Sequence, residues 1–461
     1  MAERTAAVLG LGRTGRSVCR ALRDGGARVW AWDDDPARRL EAAGAGVPIV
    51  DLGVCNWDRI DRLVLSPGVP LTHPRPHRFV RRAQAAGVPI VGDLELLVEN
   101  DPDRRIVGVT GTNGKSTTTT LIAHLLRSAG EGVQLGGNIG LPVLDLLPKP
   151  VEDIYVLEMS SYQLELTEHL RCAVAVILNV SPDHLERHGS LAGYVRAKHR
   201  ILHNQRASDW TVLGVDDDHG RKLCRKLAAK ADRRVLPVAV GRPLDDGVYV
   251  IDGQLYDAIG GSAAPVLDLC PIGSLRGVHN WQNAAAAYGA ARALGLAPAA
   301  IAAGMPDFEG LAHRLEPVAT VAGVQFVNDS KATNSEAAAR ALASFDAIYW
   351  IAGGRPKDCE LAPVLPWLDR VRHAYLIGEA AEGFARTLEG RVACTRSGDL
   401  PNALRQAASA AWADGKGNPV VLLAPACASF DQFRDFEERG EIFKALVAEL
   451  QAGPVAADLA S

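Results

Sequence analysis

The sequence predicts an α/β protein of parallel sheets covered by helices, and three observations predict it. Apolar runs of strand length alternate with Ala-, Leu- and Arg-rich stretches of helical length along almost the whole chain. Two strand-to-helix junctions carry glycine turns, "GLGRTG" from Gly10 and "GTNGKST" from Gly111. In the last third, three strand candidates end in the polar loops "VNDSKATN", "IAGGRPKD" and "LAPACASFDQF". Loops at the carboxyl ends of parallel strands are where such sheets bind ligands.

Bulk properties set the class. A chain of 461 residues has room for two to four domains, and 48% apolar with 23% charged residues is ordinary for a soluble globular protein. A formal net charge of −4 gives no general affinity for nucleic acid or anionic membrane. No apolar stretch approaches the roughly 20 residues needed to span a bilayer. The start, "MAERTAAVLG", enters a strand-like run without a signal-peptide pattern. Eight scattered cysteines contain no C-x-x-C pair, which argues against a zinc site or disulfide framework and fits a cytoplasmic protein. The last residues, "GPVAADLAS", read as a frayed tail.

Three sections follow from their openings. The first runs from "AAVLGLGRTGRS" through "ARVWAWDDD" to "RLVLSPGVP". The second begins near "GDLELLVE" and holds the short glycine loop. The third follows "GLAHRLEPVA", with strand candidates "GVQFVNDS", "AIYWIAGG", "HAYLIGE" and "PVVLLAPA". Cuts near residues 92 and 310 give sections 1–92, 93–310 and 311–461. One segment departs from the βα pattern: "GRPLDDGVYVIDGQLYD" reads as a hairpin with an Asp-Gly turn.

The first glycine turn (Gly10, Gly12, Gly15) follows a strand and opens a helix, and Asp33 ends the next strand. This is a dinucleotide fingerprint in form, but the same geometry holds any diphosphate. The second turn is compressed. Gly111 and Gly114 have only Thr112 and Asn113 between them, where the usual phosphate loop has four residues. It joins the strand candidate "RIVGVT" to a helix with Leu121, Ile122, Leu125 and Leu126 on its apolar face. Backbone N–H groups and the positive helix end converge there, which suits polyphosphate. Lys115 would meet the β/γ-phosphates, and the Ser116 or Thr117 hydroxyl could ligate Mg²⁺. The bland alternative is a solvated lysine in a glycine-rich turn; the junction and the complete Gly-Lys-Ser-Thr outweigh it.

A triphosphate site needs an acid to hold its metal. Glu158 follows the apolar Ile154–Leu157, with Ser160, Ser161 and Gln163 beyond it. A second run delivers Asn179, Asp183 and His184 to the same sheet edge, although a lone histidine is as often structural as a ligand. Lys198 is less conspicuous. Helical spacing places it among Leu191, Tyr194, Val195, Ile201 and Leu202. An inward lysine is paired, has a depressed pKa or is chemically altered, unless its stem is buried and its ammonium snorkels to water.

Together these residues resemble the Mur ligase family. The short "GTNGKST" loop is that family's form of the phosphate loop. "EMSSYQLE", "NVSPDHLERH", the lysine of "YVRAKHRIL", "HNWQNAAAA", "AHRLE", "NDSKATN" and "PACASFDQFRDFEERG" match in order over nearly the whole chain. The resemblance implies a Rossmann-like N-terminal domain for a UDP group, a central P-loop ATPase with a mostly parallel sheet, and a mobile Rossmann-like C-terminal domain. It implies ATP-dependent addition of D-glutamate to UDP-N-acetylmuramoyl-L-alanine through an acyl phosphate, by a monomer acting without nucleic acid or membrane insertion. The residues themselves do not choose between glutamate enantiomers.

Carried over by motif, Gly12, Arg13, Thr14, Asp33, Ser66 and Gly68 would hold the uridine diphosphate, and Asn138, Ser160 and Gln163 the rest of that substrate. Gly111, Thr112, Asn113, Gly114, Lys115, Ser116, Thr117, Asn280, Asn283, Arg314 and Asp329 would hold ATP. Ser116, Glu158, His184 and a carbamylated Lys198 would hold Mg²⁺. Lys331, Thr333, Lys357, Ser429 and Phe436 would bind glutamate. Two departures stand out: Arg355 and Pro356 precede Lys357 where some relatives have an acid, and no arginine follows two residues after Asp33.

Three other functions compete. A sister ligase, such as a folylpolyglutamate synthetase or another stem-peptide ligase, shares the ATPase core but not "GLGRTG" and "PACASFDQF". A dehydrogenase would bind nicotinamide at Gly10–Gly15. A nucleotide-dependent scaffold would bind ATP without turnover, which the three polar strand-end loops disfavour.

Overall fold

The structure is a computed structural model that describes residues 4–146, 153–230, 232–356, 361–414 and 417–452. Three sheets organise it. The first contains β1 (Thr5–Leu9), β2 (Arg28–Trp32), β3 (Arg62–Leu65) and β4 (Ile90–Val91), parallel and in the order β2-β1-β3-β4. Every residue of β1 is buried because both its faces are covered. Ala6 and Val8 pack with Val18, Cys19 and Leu22 of the helix Arg13–Asp24, while Ala7 and Leu9 pack with Trp57 and Phe79. Chain order reverses at β1, so the loops after β1 and β3 open on one crevice.

The second sheet contains β5 (Ile106–Thr110), β6 (Val133–Gly137), β7 (Ile154–Glu158), β8 (Val174–Ile177), β9 (Trp210–Gly214), β10 (Arg234–Val240), β11 (Val248–Ile251), β12 (Gln254–Asp257) and β13 (Ala264–Asp268). Its order is β13-β12-β11-β10-β9-β8-β5-β7-β6, parallel from β6 to β11. β11 and β12 form the expected hairpin. Asp252 and Gly253 both have positive φ, 50° and 83°, as a tight turn matched to strand twist requires. β5 lies between β7 and β8, which places the compressed glycine loop at a switch point of this sheet.

The third sheet contains β14 (Glu316–Val321), β15 (Val324–Asn328), β16 (Ile348–Gly353), β17 (Val371–Ile377), β18 (Cys394–Gly398) and β19 (Val420–Leu423), in the order β14-β15-β19-β16-β17-β18. Only the β14–β15 pair is antiparallel. The four apolar runs named above are β15, β16, β17 and β19. The edge strands β14 and β18 are half exposed and lack a continuous apolar run, so pattern alone does not single them out. By compactness the chain divides into Met1–Asp268 with Trp281–Asp307, and Leu269–Asn280 with Phe308–Ser461. Among the described residues no helix is long and apolar enough to cross a membrane.

The first glycine turn is closed by contact. A Cβ on Gly15 would lie 1.8 Å from the Gly10 carbonyl oxygen, and the Ser66 hydroxyl donates to that same oxygen at 2.7 Å. Gly15→Ala therefore forces backbone to move and is predicted to cost about 1–3 kcal/mol. A urea midpoint equal to wild type would contradict so close an approach.

Candidate active site

The nucleotide-like end is built by backbone. Asp33 accepts from the Leu11 N–H through Oδ2 at 2.7 Å and from the Asp35 N–H through Oδ1 at 2.9 Å. Its carboxylate thus ties the turn after β1 to the end of β2. Gly12, Arg13, Thr14, Asp33, Ser66 and Gly68 line one cavity of about 640 Å³, which extends to Gly137, Asn138 and Gln163. Six of the expected substrate residues and two more from the second section therefore share one space. Asp34, Arg38 and His77 line it as well. Motif matching missed these three, since they lie outside the fingerprint spacing. Asp34 is fixed by the Trp32 indole, the His77 imidazole and the Arg78 guanidinium at 3.2, 2.9 and 3.0 Å.

The compressed loop is braced from β8. Asn179 accepts from the Thr112 N–H through its carbonyl oxygen and from the Asn113 N–H through Oδ1, both at 2.9 Å. Its Nδ2 donates back to the Asn113 carbonyl at 3.2 Å. Gly114 is left-handed at φ 83°, and a Cβ there would meet Asn283 Oδ1 at 2.1 Å. Asn283 also accepts from Thr118 Oγ1 at 3.3 Å, so it buttresses the helix Lys115–Ser128. Lys115 folds over the loop, donating to the Gly111 and Thr112 carbonyls at 3.0 and 2.9 Å. Ser116 and Thr117 occupy the first helical turn, with Ser116 buried.

Glu158 ends β7 and is 2% exposed. Its Oε1 accepts from Asn138 Nδ2 at 2.7 Å, while Oε2 is buried without a hydrogen-bond partner. A buried, half-satisfied carboxylate beside a phosphate loop is a demand for a cation, and oxygen donors suit a hard divalent one. Lys198 is 1% exposed, donates to the Gly111 carbonyl at 2.7 Å and lies 4.5 Å from the Tyr194 ring centre. Burial, then the charge of Lys115, lowers its pKa to about 6 against the opposing pull of Asp183 and Glu158. Both causes favour its uncharged amine form. The expected apolar face is shorter than spacing suggested. The helix stops at His199, Leu191 and Val195 are only half-buried, and Ile201 and Leu202 are buried from a following 3-10 turn.

His184 is half-exposed with a left-handed φ of 52°, its ring 5.1 Å from Tyr162 and 6.4 Å from Tyr194. Tyr194 in turn meets Thr112 Oγ1 at 3.2 Å, linking His184 to the loop. Ser160 and Gln163 form a reciprocal capping box on the helix Ser161–Glu165, and Gln163 Nε2 donates to Asp93 at 3.2 Å. Their polar groups are engaged in this scaffold, although Gln163 also lines the cavity.

Models of the Mur ligase middle domain and of the Mur ligase glutamate ligase domain match residues 109–291 and 313–427. The chain is 51% identical over 456 residues to the UDP-N-acetylmuramoylalanine–D-glutamate ligase of Phenylobacterium zucineum, covering 98% of this chain and 97% of that one. It is 50% identical over 457 residues, with the same coverage, to the ligase of that name from Caulobacter vibrioides. The chain belongs to the Mur ligase family. The crystal structure of UDP-N-acetylmuramate–alanine ligase from Thermotoga maritima shares its fold, with a TM-score of 0.57, 18% identity, and 97% and 99% coverage of the two chains.

In this Mur ligase the other expected groups lie in the unit containing the third sheet. Lys331 Nζ sits 3.5 Å from the Phe436 ring centre, and the Thr333 N–H donates to the Lys331 carbonyl at 2.8 Å. Ser429 is buried in the loop after β19, where its carbonyl accepts from the Gln432 and Phe433 N–H groups. Asn280 donates to the Arg276 carbonyl at 3.0 Å, and Arg314 forms an isolated bridge with Leu311. Lys357 lies outside the described residues. The departing Arg355 pairs with Glu379 at 3.1 Å, so its charge is met within the loop region. No sequence motif singles out Arg439. It is fully buried, donates to Ser330 Oγ and to the Ser330 and Cys427 carbonyls, and leaves Nη1 without a partner. Its clue was an arginine inside the quoted "FEERG", read there only as part of a match.

Asp329 is buried and accepts from the Leu315 N–H at 3.2 Å; burial raises its pKa to about 7. The folded state therefore binds more protons than the unfolded one between 3.8 and about 7, and stability falls as pH rises through that window. Asp329→Asn is predicted to remove a slope of up to about 1.4 kcal/mol per pH unit. Denaturant titrations across that range check it, and an unchanged slope contradicts it.

Proposed function

We propose that this Mur ligase joins D-glutamate to UDP-N-acetylmuramoyl-L-alanine and converts ATP to ADP and phosphate. One observation carries the proposal. A single cavity runs from the glycine turn after β1 to Asn138, and Asn138 donates to Glu158 beside the phosphate loop. A molecule anchored by a diphosphate at Arg13 and Thr14 presents its far end to the triphosphate site. The near full-length likeness to the two D-glutamate ligases supports the choice of substrates. Functionally, residues 1–92 serve the sugar nucleotide, 93–310 ATP, and 311–461 the amino acid.

A carboxylate does not condense with an amine unaided, because oxide is a very poor leaving group. The alanine carboxylate attacks the γ-phosphorus in line, forming an acyl phosphate and releasing ADP. The free amine of glutamate then attacks the acyl carbon, and the tetrahedral intermediate expels phosphate. The protein supplies position and charge. Lys115 swings from its loop carbonyls onto the phosphates, and the loop N–H groups hold them. Asn280, Asn283, Arg314 and Asp329 complete the nucleotide-binding set. Lys331, Thr333, Lys357, Ser429 and Phe436 hold glutamate, and the buried Arg439, bonded to Ser330 and to the Cys427 carbonyl, adds positive charge to this unit.

Ser116, Glu158, His184 and Lys198 would hold Mg²⁺, which neutralises phosphate charge. Glu158 has the unpartnered buried oxygen that fits it. Lys198 fits once carbamylated: its neutral amine adds CO₂ and loses a proton, turning a buried base into an anionic oxygen donor.

Lys115→Ala is predicted to abolish ADP formation; turnover at the wild-type rate would remove the loop from the mechanism. Lys198→Ala is predicted to lose most activity, without rescue by bicarbonate. Wild-type protein in ¹³C-bicarbonate should show a carbamate resonance that Lys198→Ala lacks, and the signal should fade as pH drops through about 6 and the amine protonates. An identical spectrum from both proteins would refute carbamylation at this lysine.

A further inference from the structure

We infer that Asp145 is a positioning residue that locks the first helix to the loop carrying Asn138, and so sets where the acyl end of the sugar nucleotide meets the phosphate donor. This rests on the substrate proposed above. The helix Arg13–Asp24 starts with Arg13 and Thr14 in the cavity wall. One and two turns further, Ser17 and Arg20 reach Asp145. Ser17 Oγ donates to Asp145 Oδ1 at 2.8 Å, and Arg20 Nη2 donates to both carboxylate oxygens at 2.8 Å. Ser17 is 1% exposed, so its hydroxyl depends on this acceptor.

Asp145 is not on a free loop. It ends the 3-10 turn Val143–Asp145, and the segment before it is tied to β6 by the Gly137 N–H donating to the Leu141 carbonyl at 2.9 Å, with a bridge between Gly136 and Leu141. Asn138 lies inside that closed segment and donates to Glu158. Bonded contacts thus run from the helix that takes the diphosphate to the acid of the triphosphate site. Leu144 also packs against the cluster containing Val18 and Cys19, but apolar contact is non-directional and lets a helix slide along its axis. A carboxylate gripped by two donors one turn apart fixes that register. The register matters because Arg13, Thr14 and Asn138 line one cavity, so a slide of the helix would change the distance between its two ends.

The test uses steady-state kinetics on the full chain with Asp145→Ala, Arg20→Ala and the double variant, beside calorimetric titration of UDP. Asp145→Ala is expected to lower kcat about 10- to 100-fold, as a misplacement near 1 Å does. KM for ATP and affinity for UDP should stay at wild-type values, a split that general destabilisation does not produce. The double variant should lose no more than Asp145→Ala, because the pair acts as one unit. Arg20→Ala removes an exposed side chain, should give a smaller loss of the same kind, and carries the test if Asp145→Ala does not fold. Wild-type kcat in the single variants, multiplicative losses in the double variant, or a loss confined to UDP affinity overturns the inference. Wild-type protein that neither binds UDP nor forms ADP with the sugar-linked substrate sinks the proposed activity instead.

Discussion

Asn179, at the end of β8, accepts hydrogen bonds from the two amides of Thr112 and Asn113, and the central site is organised around that brace. A loop shortened by two residues has less chain with which to surround a phosphate. Rigidity compensates: Asn179 fixes its middle, Asn283 fits against Gly114, and Lys198 holds the Gly111 carbonyl. Two lysines thereby donate to the same carbonyl oxygen of Gly111. Burial first, and then the charge of Lys115, lower the pKa of Lys198.

Several buried groups in this Mur ligase are left incompletely matched, and they coincide with the places where ligands are assigned. Glu158 keeps an unpaired oxygen, burial lowers the pKa of Lys198 and raises that of Asp329, and Arg439 has an unpaired N–H. Each costs folding stability by itself, and each is relieved by a partner of opposite character. Such mismatches are expected where a fold holds chemistry in readiness.

The cavity proposed for the sugar nucleotide follows different logic. Its polar groups are mostly satisfied: Asp33 by two amides, Ser66 by the Gly10 carbonyl, and Gln163 by Ser160 and Asp93. These side chains shape the cavity and aim backbone N–H groups, so recognition there depends on geometry as much as on free functional groups. Asp145 extends that logic, holding two distant chain segments at a fixed offset through one carboxylate.

Local chemistry was legible in the sequence by itself. Alternating apolar runs determined the parallel sheets, and Asp-Gly determined the β11–β12 turn, because only that spacing and those residues satisfy the backbone locally. The phosphate loop was readable for the same reason: its glycines, Lys115 and Ser116 are contiguous. Tertiary structure decided what depends on distant segments. It engaged Asp33 with the amides of Leu11 and Asp35, gave Glu158 one partner and left its other oxygen bare, ended the Lys198 helix at His199, and brought Asp145 to Ser17 and Arg20 across more than a hundred residues. Hydrogen-bond satisfaction and burial are properties of the packed chain, and no run of neighbouring residues encodes them.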